Sequence, residues 1–240
     1  MSRRGDILLR LALACFILSL GVIFYSSPGS ISSAFLKYSS IRTVEKYLFF
    51  AFLLILISPS KKLLKIGGLT LSGVMAFDAI FKFSQFSPVT NLLAPMTSAM
   101  RIIFPLIVAD ILTTKSTNKI LRFACALTFI GHGLEAFIGV GKFVDYILYL
   151  NQTLGEALYL SEESAKVLLK AIGSLDIIFS ILLFSKYKRL GLKFMVFWGA
   201  ATGLMRIIYY DFSFLGFNEF FYRIPHWIIP LMLLAYSDEK

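Results

Sequence analysis

An all-helical bundle of membrane-spanning segments is the fold class this sequence predicts, and three observations predict it. The chain has 240 residues, 58% of them hydrophobic and only 16% charged, with a mean hydropathy of +0.78. A soluble domain of this size could not cover that much apolar surface with so few charges. The apolar residues also fall into runs of about 20, the length that crosses a bilayer as a helix. Finally, the basic excess, a formal net charge of +10, sits in short connections between those runs. That is the pattern of membrane orientation rather than of nucleic-acid binding. The expected partner is the lipid bilayer, with no nucleic acid.

Taken in order, Arg3 and Arg4 precede a first span over Ile7–Tyr25, read as an uncleaved helix because no A-x-A cleavage site follows and further spans do. A Ser-rich connection over Ser26–Thr43, with Pro28-Gly29 as a turn signal, leads to a short second span over Val44–Ser58. The third span, Leu63–Phe83, carries Asp78 and Lys82. The fourth, Leu92–Leu112, contains Pro95, Arg101, Pro105 and Asp110. The fifth, Ile120–Val140, holds FIGHGLEAFIGVG, where His132 and Glu135 share a helical face. The longest connection, Lys142–Ser164, is amphipathic in its middle and expected to lie along the membrane surface. The sixth span, Ala165–Phe184, carries Asp176, and the seventh, Leu192–Tyr210, carries Arg206. The eighth begins near Asn218 or Ile224 and ends near Tyr236, with Pro225 and Pro230 expected to kink it. Cys15 and Cys125 lie inside apolar runs without CxxC spacing and read as small apolar fillers.

Loop charge sets the expected orientation. From a cytoplasmic start, the inside connections hold Arg3, Arg4, Lys61, Lys62, Lys65, Lys115, Lys119, Arg122, Lys186, Lys188, Arg189 and Lys193. The outside ones hold Glu45, Asp145, Glu156, Glu162, Glu163, Asp211 and Glu219. Both termini are therefore expected inside, with about eight spans.

At about 1.5 Å per residue, orientation converts chain position into depth. His132 and Glu135, Asp78, Arg101, Arg206, Arg223 and His226 then converge on one layer toward the outside, with Asp176 nearer the middle. Gly199, Thr202, Gly203, Arg206 and Tyr210 make a small-and-polar stripe, as do Gly173, Asp176 and Ser180, and His132, Glu135, Ala136 and Gly139. Such stripes let helices approach closely and bond across their interface. Ionisable groups at membrane depth face a bundle interior or cavity, so these residues are the candidate ligand site. One alternative is a purely structural ion network: Asp78 with Lys82, Glu219 with Arg223, and Arg101 and Arg206 with Glu135 and Asp176. His132 and His226 are the only histidines. They are candidates for ligating haem b or another metal, for bonding a quinone carbonyl or relaying protons, or for joining the arginines around an anion.

Two further features carry a resemblance. Gly131-His132-Gly133 ends a helix with a His-Gly pair. After a looped segment comes a Gly-plus-acid helix with a Leu-rich run and basic residues, AIGSLDIIFSILLFSKYKR. Through these, residues 120–236 resemble the DoxX-like family of small four-helix membrane proteins. Asp176 stands where that family more often has Glu, and Glu135-Ala136 where a helix-ending Lys is common. The resemblance implies a helical bundle, a bacterial inner membrane, and a link to quinol or thiol redox chemistry. It would divide the single integral membrane domain, 1–240, into four-helix halves at 1–117 and 118–240.

No Walker, GxSxG, HExxH or CxxC motif is present, which argues against ATPase and hydrolase functions. Three readings remain open: a quinone- or haem-linked redox component, a small-solute or proton-coupled transporter using the same pocket, and a structural subunit bound to other membrane subunits.

Overall fold

The computed structural model describes residues 10–19, 60–85, 88–112, 117–155 and 160–236. The expected connection at 26–43 and the short second span at 44–58 lie outside the described residues, as do both ends of the first span. Every regular element among the described residues is helical. In chain order these are α1 (Arg10–Ser19), α2 (Lys61–Ser84), α3 (Val89–Leu92), α4 (Ala94–Thr97), α5 (Ala99–Val108), α6 (Thr117–Ile138), α7 (Gly141–Thr153), α8 (Glu162–Leu182), α9 (Lys188–Tyr209), α10 (Phe214–Tyr222) and α11 (Ile224–Tyr236). By length and composition, α2, α6 and α9 can each cross a membrane.

Local chemistry sets the element ends. The Ser161 hydroxyl accepts from the Ser164 amide at 3.2 Å, and Glu162 and Glu163 occupy the first turn of α8, where the helix dipole favours negative charge. Ser60 and Ser213 cap α2 and α10 in the same way. The fourth expected span is not one rod but three pieces, α3 to α5. The chain breaks at Leu93, just before Pro95, and at Ser98, while Pro105 stays inside α5; each proline lacks a backbone donor. The break is satisfied from a neighbour: the buried Thr128 hydroxyl of α6 accepts from the Met100 amide at 3.1 Å. Interrupted helices are tolerated in apolar surroundings only when side chains restore such bonds. The eighth expected span is likewise divided at Arg223, into α10 and α11.

Helix α6 is the hub. It packs on α8 along one side and on α4, α5 and α11 along others. A larger apolar cluster joins α1, α2, α5, α6, α9 and α11. Phe16 and Phe104 are wholly buried in it, edge to face with centroids 5.7 Å apart. A smaller cluster of Ala136, Val144, Ala165 and Leu169 joins α6, α7 and α8. The outward faces are apolar: Ile80, Phe123, Val167, Ile178, Ile181 and Phe197 are each more than half exposed. Lipid tails are as apolar as these side chains, so between such helices close packing and satisfied polar groups decide association.

Glycine provides that packing where it positions the site. A Cβ at Gly133 would stand 2.7 Å from the carbonyl oxygen of Gly173, and one at Gly199 would stand 2.8 Å from that of His226. The first contact sets α6 against α8 at the level of His132 and Asp176. The second sets α9 against the first turn of α11.

Candidate functional site

Four helices carry the site. From α6 comes the adjacent acid–imidazole pair: His132 Nδ1 lies 2.7 Å from Glu135 Oε2, an i,i+3 contact. From the first turn of α11 comes His226, 3% exposed, whose Nε2 lies 3.2 Å from His132 Nε2. Arg223, at the α10–α11 break, brings Nη1 to 3.4 Å from the same His132 nitrogen. Asp176 comes from α8, 4% exposed, beside the indole of Trp198.

These groups, except Glu135, line a cavity of about 350 Å³. The rest of its wall is largely apolar, including Phe129, Ile147, Leu169, Ile172 and Met205. Helix α7, read from the sequence as a surface helix, supplies a complete side of it through Phe143, Tyr146, Ile147 and Leu150. It lies between two glycines at positive φ, Gly139 at 75° and Gly155 at 73°, a conformation costly for other residues.

A second polar group closes the site beside α7. Glu219 of α10 takes two cations, Lys142 of α7 at 3.7 Å and the buried Arg206 of α9 at 3.5 Å. Arg206 also donates to the Thr202 carbonyl, and its guanidinium lies 5.2 Å from the centre of the Tyr146 ring. Nearby the Tyr149 hydroxyl donates to Asp211. Burial disfavours the Lys142 ammonium, but Glu219, with Tyr146 and Tyr210, outweighs it, and the lysine pKa is raised from its ordinary 10.5. Burial likewise raises the Tyr146 phenol, against the opposing pull of Arg206 and Lys142.

The structure thus brings together His132, Glu135, Asp176, Arg206, Arg223 and His226. It does not bring Asp78, whose carboxylate lies 2.7 Å from Lys82 on α2, as the structural alternative expected. Arg101 is buried near the group but bonds locally, donating to the Thr97 carbonyl at 2.9 Å and the Ser98 hydroxyl at 3.1 Å, with its guanidinium 4.4 Å from the Tyr222 ring centre. The remaining expected ion pairs are corrected. Glu219 pairs with Arg206 and Lys142 instead of Arg223, because the turn at Arg223 ends the helix that would have aligned i with i+4. Arg101 and Arg206 are not bridged to Glu135 or Asp176. Lys142, Tyr146 and Trp198 went unread as site residues. Their only signal was the i,i+4 spacing of Lys142 and Tyr146 on an amphipathic segment.

Ligation of haem by His132 and His226 does not fit this geometry. Two axial imidazoles bonded to one iron at about 2 Å each stand about 4 Å apart, and here the nitrogens are 3.2 Å apart in direct contact. A metal cation held between them would also face the Arg223 guanidinium, 3.4 Å from the same nitrogen. Among the described residues no group of three His, Cys, Asp or Glu side chains is placed to hold a metal.

No protein-family model, curated protein or solved structure matches the chain.

Proposed function

We propose that this chain is a multi-pass protein of a bacterial cytoplasmic membrane, with about eight spans and both termini inside. Its pocket, in the outer half of the bilayer, binds a membrane-soluble molecule with an apolar body and a hydrogen-bonding head, of the quinone class. The protein is then a redox-linked membrane component. The observation that carries this reading is the cavity itself. At about 350 Å³ it falls within the range of small-molecule sites, about 300–1,000 Å³, which are mainly apolar with a few convergent polar groups. The imidazole and guanidinium groups of His132, His226 and Arg223 suit a hydrogen-bonding head, and the apolar wall suits a ring and the start of a tail.

Trp198 lines the cavity, so it can report occupancy. In a Trp227→Phe variant, a short-tailed benzoquinone is expected to quench the remaining tryptophan saturably. Ala201→Phe, which fills the cavity, is expected to abolish that saturation. Quenching that never saturates, or that Ala201→Phe leaves unchanged, defeats the reading. A Soret band in the purified protein would point to haem instead.

The α7 wall favours a second reading, a proton-coupled transporter. A helix flanked by two positive-φ glycines and tied to α10 by Lys142 and Glu219 has the parts of a movable wall. Solute uptake into liposomes driven by a pH gradient is the measurement that separates it from a binding or redox role.

A further inference from the structure

Helices α8 and α9 form an antiparallel pair that is tight at one end. There the Phe179 and Phe194 rings stack with centroids 4.1 Å apart, and a Cβ at Gly191 would stand 2.7 Å from the Phe179 carbonyl oxygen. The seam continues as far as Asp176 and the Trp198 indole. Beyond that pair, the residues at the next turns of both helices line the cavity: Ile172 and Leu168 on α8, Thr202 and Met205 on α9. On other sides the wall is sealed, since Phe129 and Ala136 of α6 and His226 of α11 are buried. Among the described residues, the exposed members of the wall are all leucines. Leu150 and Leu154, at the end of α7, are 37% and 59% exposed, and Leu168 is 41% exposed. Leu168 lies about 9 Å along α8 from the charged first turn of Glu162 and Glu163. Its neighbours on the outward face, Val167 and Ile178, are exposed and apolar. An apolar rim at that depth meets acyl chains rather than water.

We infer that the pocket opens sideways into the bilayer between α8 and α9, and that its ligand is a chain-bearing amphiphile. The ring sits inside, and an alkyl or prenyl tail passes over Leu168 and Met205 into the lipid. This rests on the small-molecule reading above. Such a ligand enters and leaves without crossing water. Helix α7 stays in place meanwhile, held by Lys142 to Glu219 of α10 and by Tyr146 against Tyr209 of α9, ring centroids 4.6 Å apart. A tail that remains in lipid costs nothing to bind. A tail pushed into water loses the free energy of every methylene exposed, a factor of about four in affinity for each.

The test uses the full chain carrying Trp227→Phe in lipid nanodiscs, with benzoquinones bearing alkyl tails of two to ten carbons as quenchers of Trp198. Affinity is expressed as mole fraction of probe in the lipid, which removes the gain from partitioning alone. On that scale the tails should agree within about threefold, because each added methylene is in lipid whether the probe is bound or free. Affinity that falls steeply with tail length shows a mouth that is closed or faces water, and overturns the portal while leaving the pocket standing. Two rim variants, Leu168→Asn and Met205→Asn, locate it. Each should weaken the ten-carbon probe about fourfold, the worth of one methylene contact, and leave the two-carbon probe unchanged. Ile178→Asn, exposed on α8 but off the rim, should change neither. Rim variants that leave the ten-carbon probe as tight as before, or that weaken both probes alike, overturn the placement between α8 and α9. Failure of every tail length to quench saturably overturns the small-molecule reading itself.

Discussion

Gly133 and Gly173 meet backbone to backbone: a Cβ on either would run into the carbonyl oxygen of the other. This contact fixes the distance between α6 and α8, and so sets His132, one residue before Gly133, level with Asp176, three residues after Gly173. A side chain here must push the helices apart, because a backbone carbonyl cannot rotate away as a flexible side chain can. Gly173→Val is expected to destabilise the bundle by about 1–3 kcal/mol, the range for overpacking. Thermal unfolding in detergent reads the loss. Gly141→Ala is the control, since nothing lies within 4 Å of a Cβ there.

Asp176 shows stability held back at a site. Its Oδ1 is buried without a partner, and an unmet buried polar atom costs about 1–3 kcal/mol. Asp176→Leu keeps the branching at Cγ and removes that cost. It is expected to raise the unfolding midpoint while weakening benzoquinone quenching of Trp198 about tenfold or more. A variant that both unfolds earlier and binds less would make Asp176 a structural residue instead.

The pairing of Lys142 with Glu219 ties α7 to α10 and predicts an alkaline opening. The lysine pKa is higher in the folded protein than its ordinary 10.5. A raised cation pKa stabilises below the unfolded value and loses that contribution as pH rises through the folded one. Hydrogen-exchange protection factors in Gly141–Thr153, which remove the base-catalysed rise of the intrinsic rate, should therefore be unchanged up to about pH 10 and fall above the ordinary lysine pKa. Lys142→Met should show the lower protection already at neutral pH, with no further alkaline step.

Topology is tested at two exposed positions, Gln152 at the end of α7 and Lys186 between α8 and α9. Loop charge predicts that the first is outside and the second inside. In a background with Cys15 and Cys125 replaced by alanine, a membrane-impermeant maleimide on intact cells is expected to label Gln152→Cys and spare Lys186→Cys. The opposite pattern inverts the bundle. Equal labelling of both without lysis removes the odd number of crossings between them.

Several parts of this architecture were legible as pattern. The stripe Gly173, Asp176, Ser180 is buried along α8, and Gly199, Gly203 and Arg206 are buried along α9, because 3.6-residue spacing gathers small and polar residues on one face before any partner is known. The breaks in α3 to α5 were less so. Pro95 and Pro105 were visible, but Pro105 stays inside α5 while the chain breaks at Leu93 and Ser98, and just past the second break the Met100 amide is met by the Thr128 hydroxyl of another helix. Glu219 was misassigned for a related reason. Its i,i+4 partner Arg223 was a fair expectation for a continuous helix, and the turn at Arg223 gave Glu219 to Lys142 and Arg206 instead.

The amino-acid order alone determined that this chain is helical, apolar on its outer faces and supplied with a small set of titratable residues on particular helical faces. These properties are local, set by composition and by the period of the helix. Only the tertiary structure decided that His226 reaches His132 across 94 residues, that α7 forms a wall of the cavity, and that Asp78 stays with Lys82. Those outcomes depend on which helices touch and how closely, and glycine contacts such as Gly133 with Gly173 and Gly199 with His226 set that closeness. Spacing along one chain carries no distance between two helices until their surfaces meet.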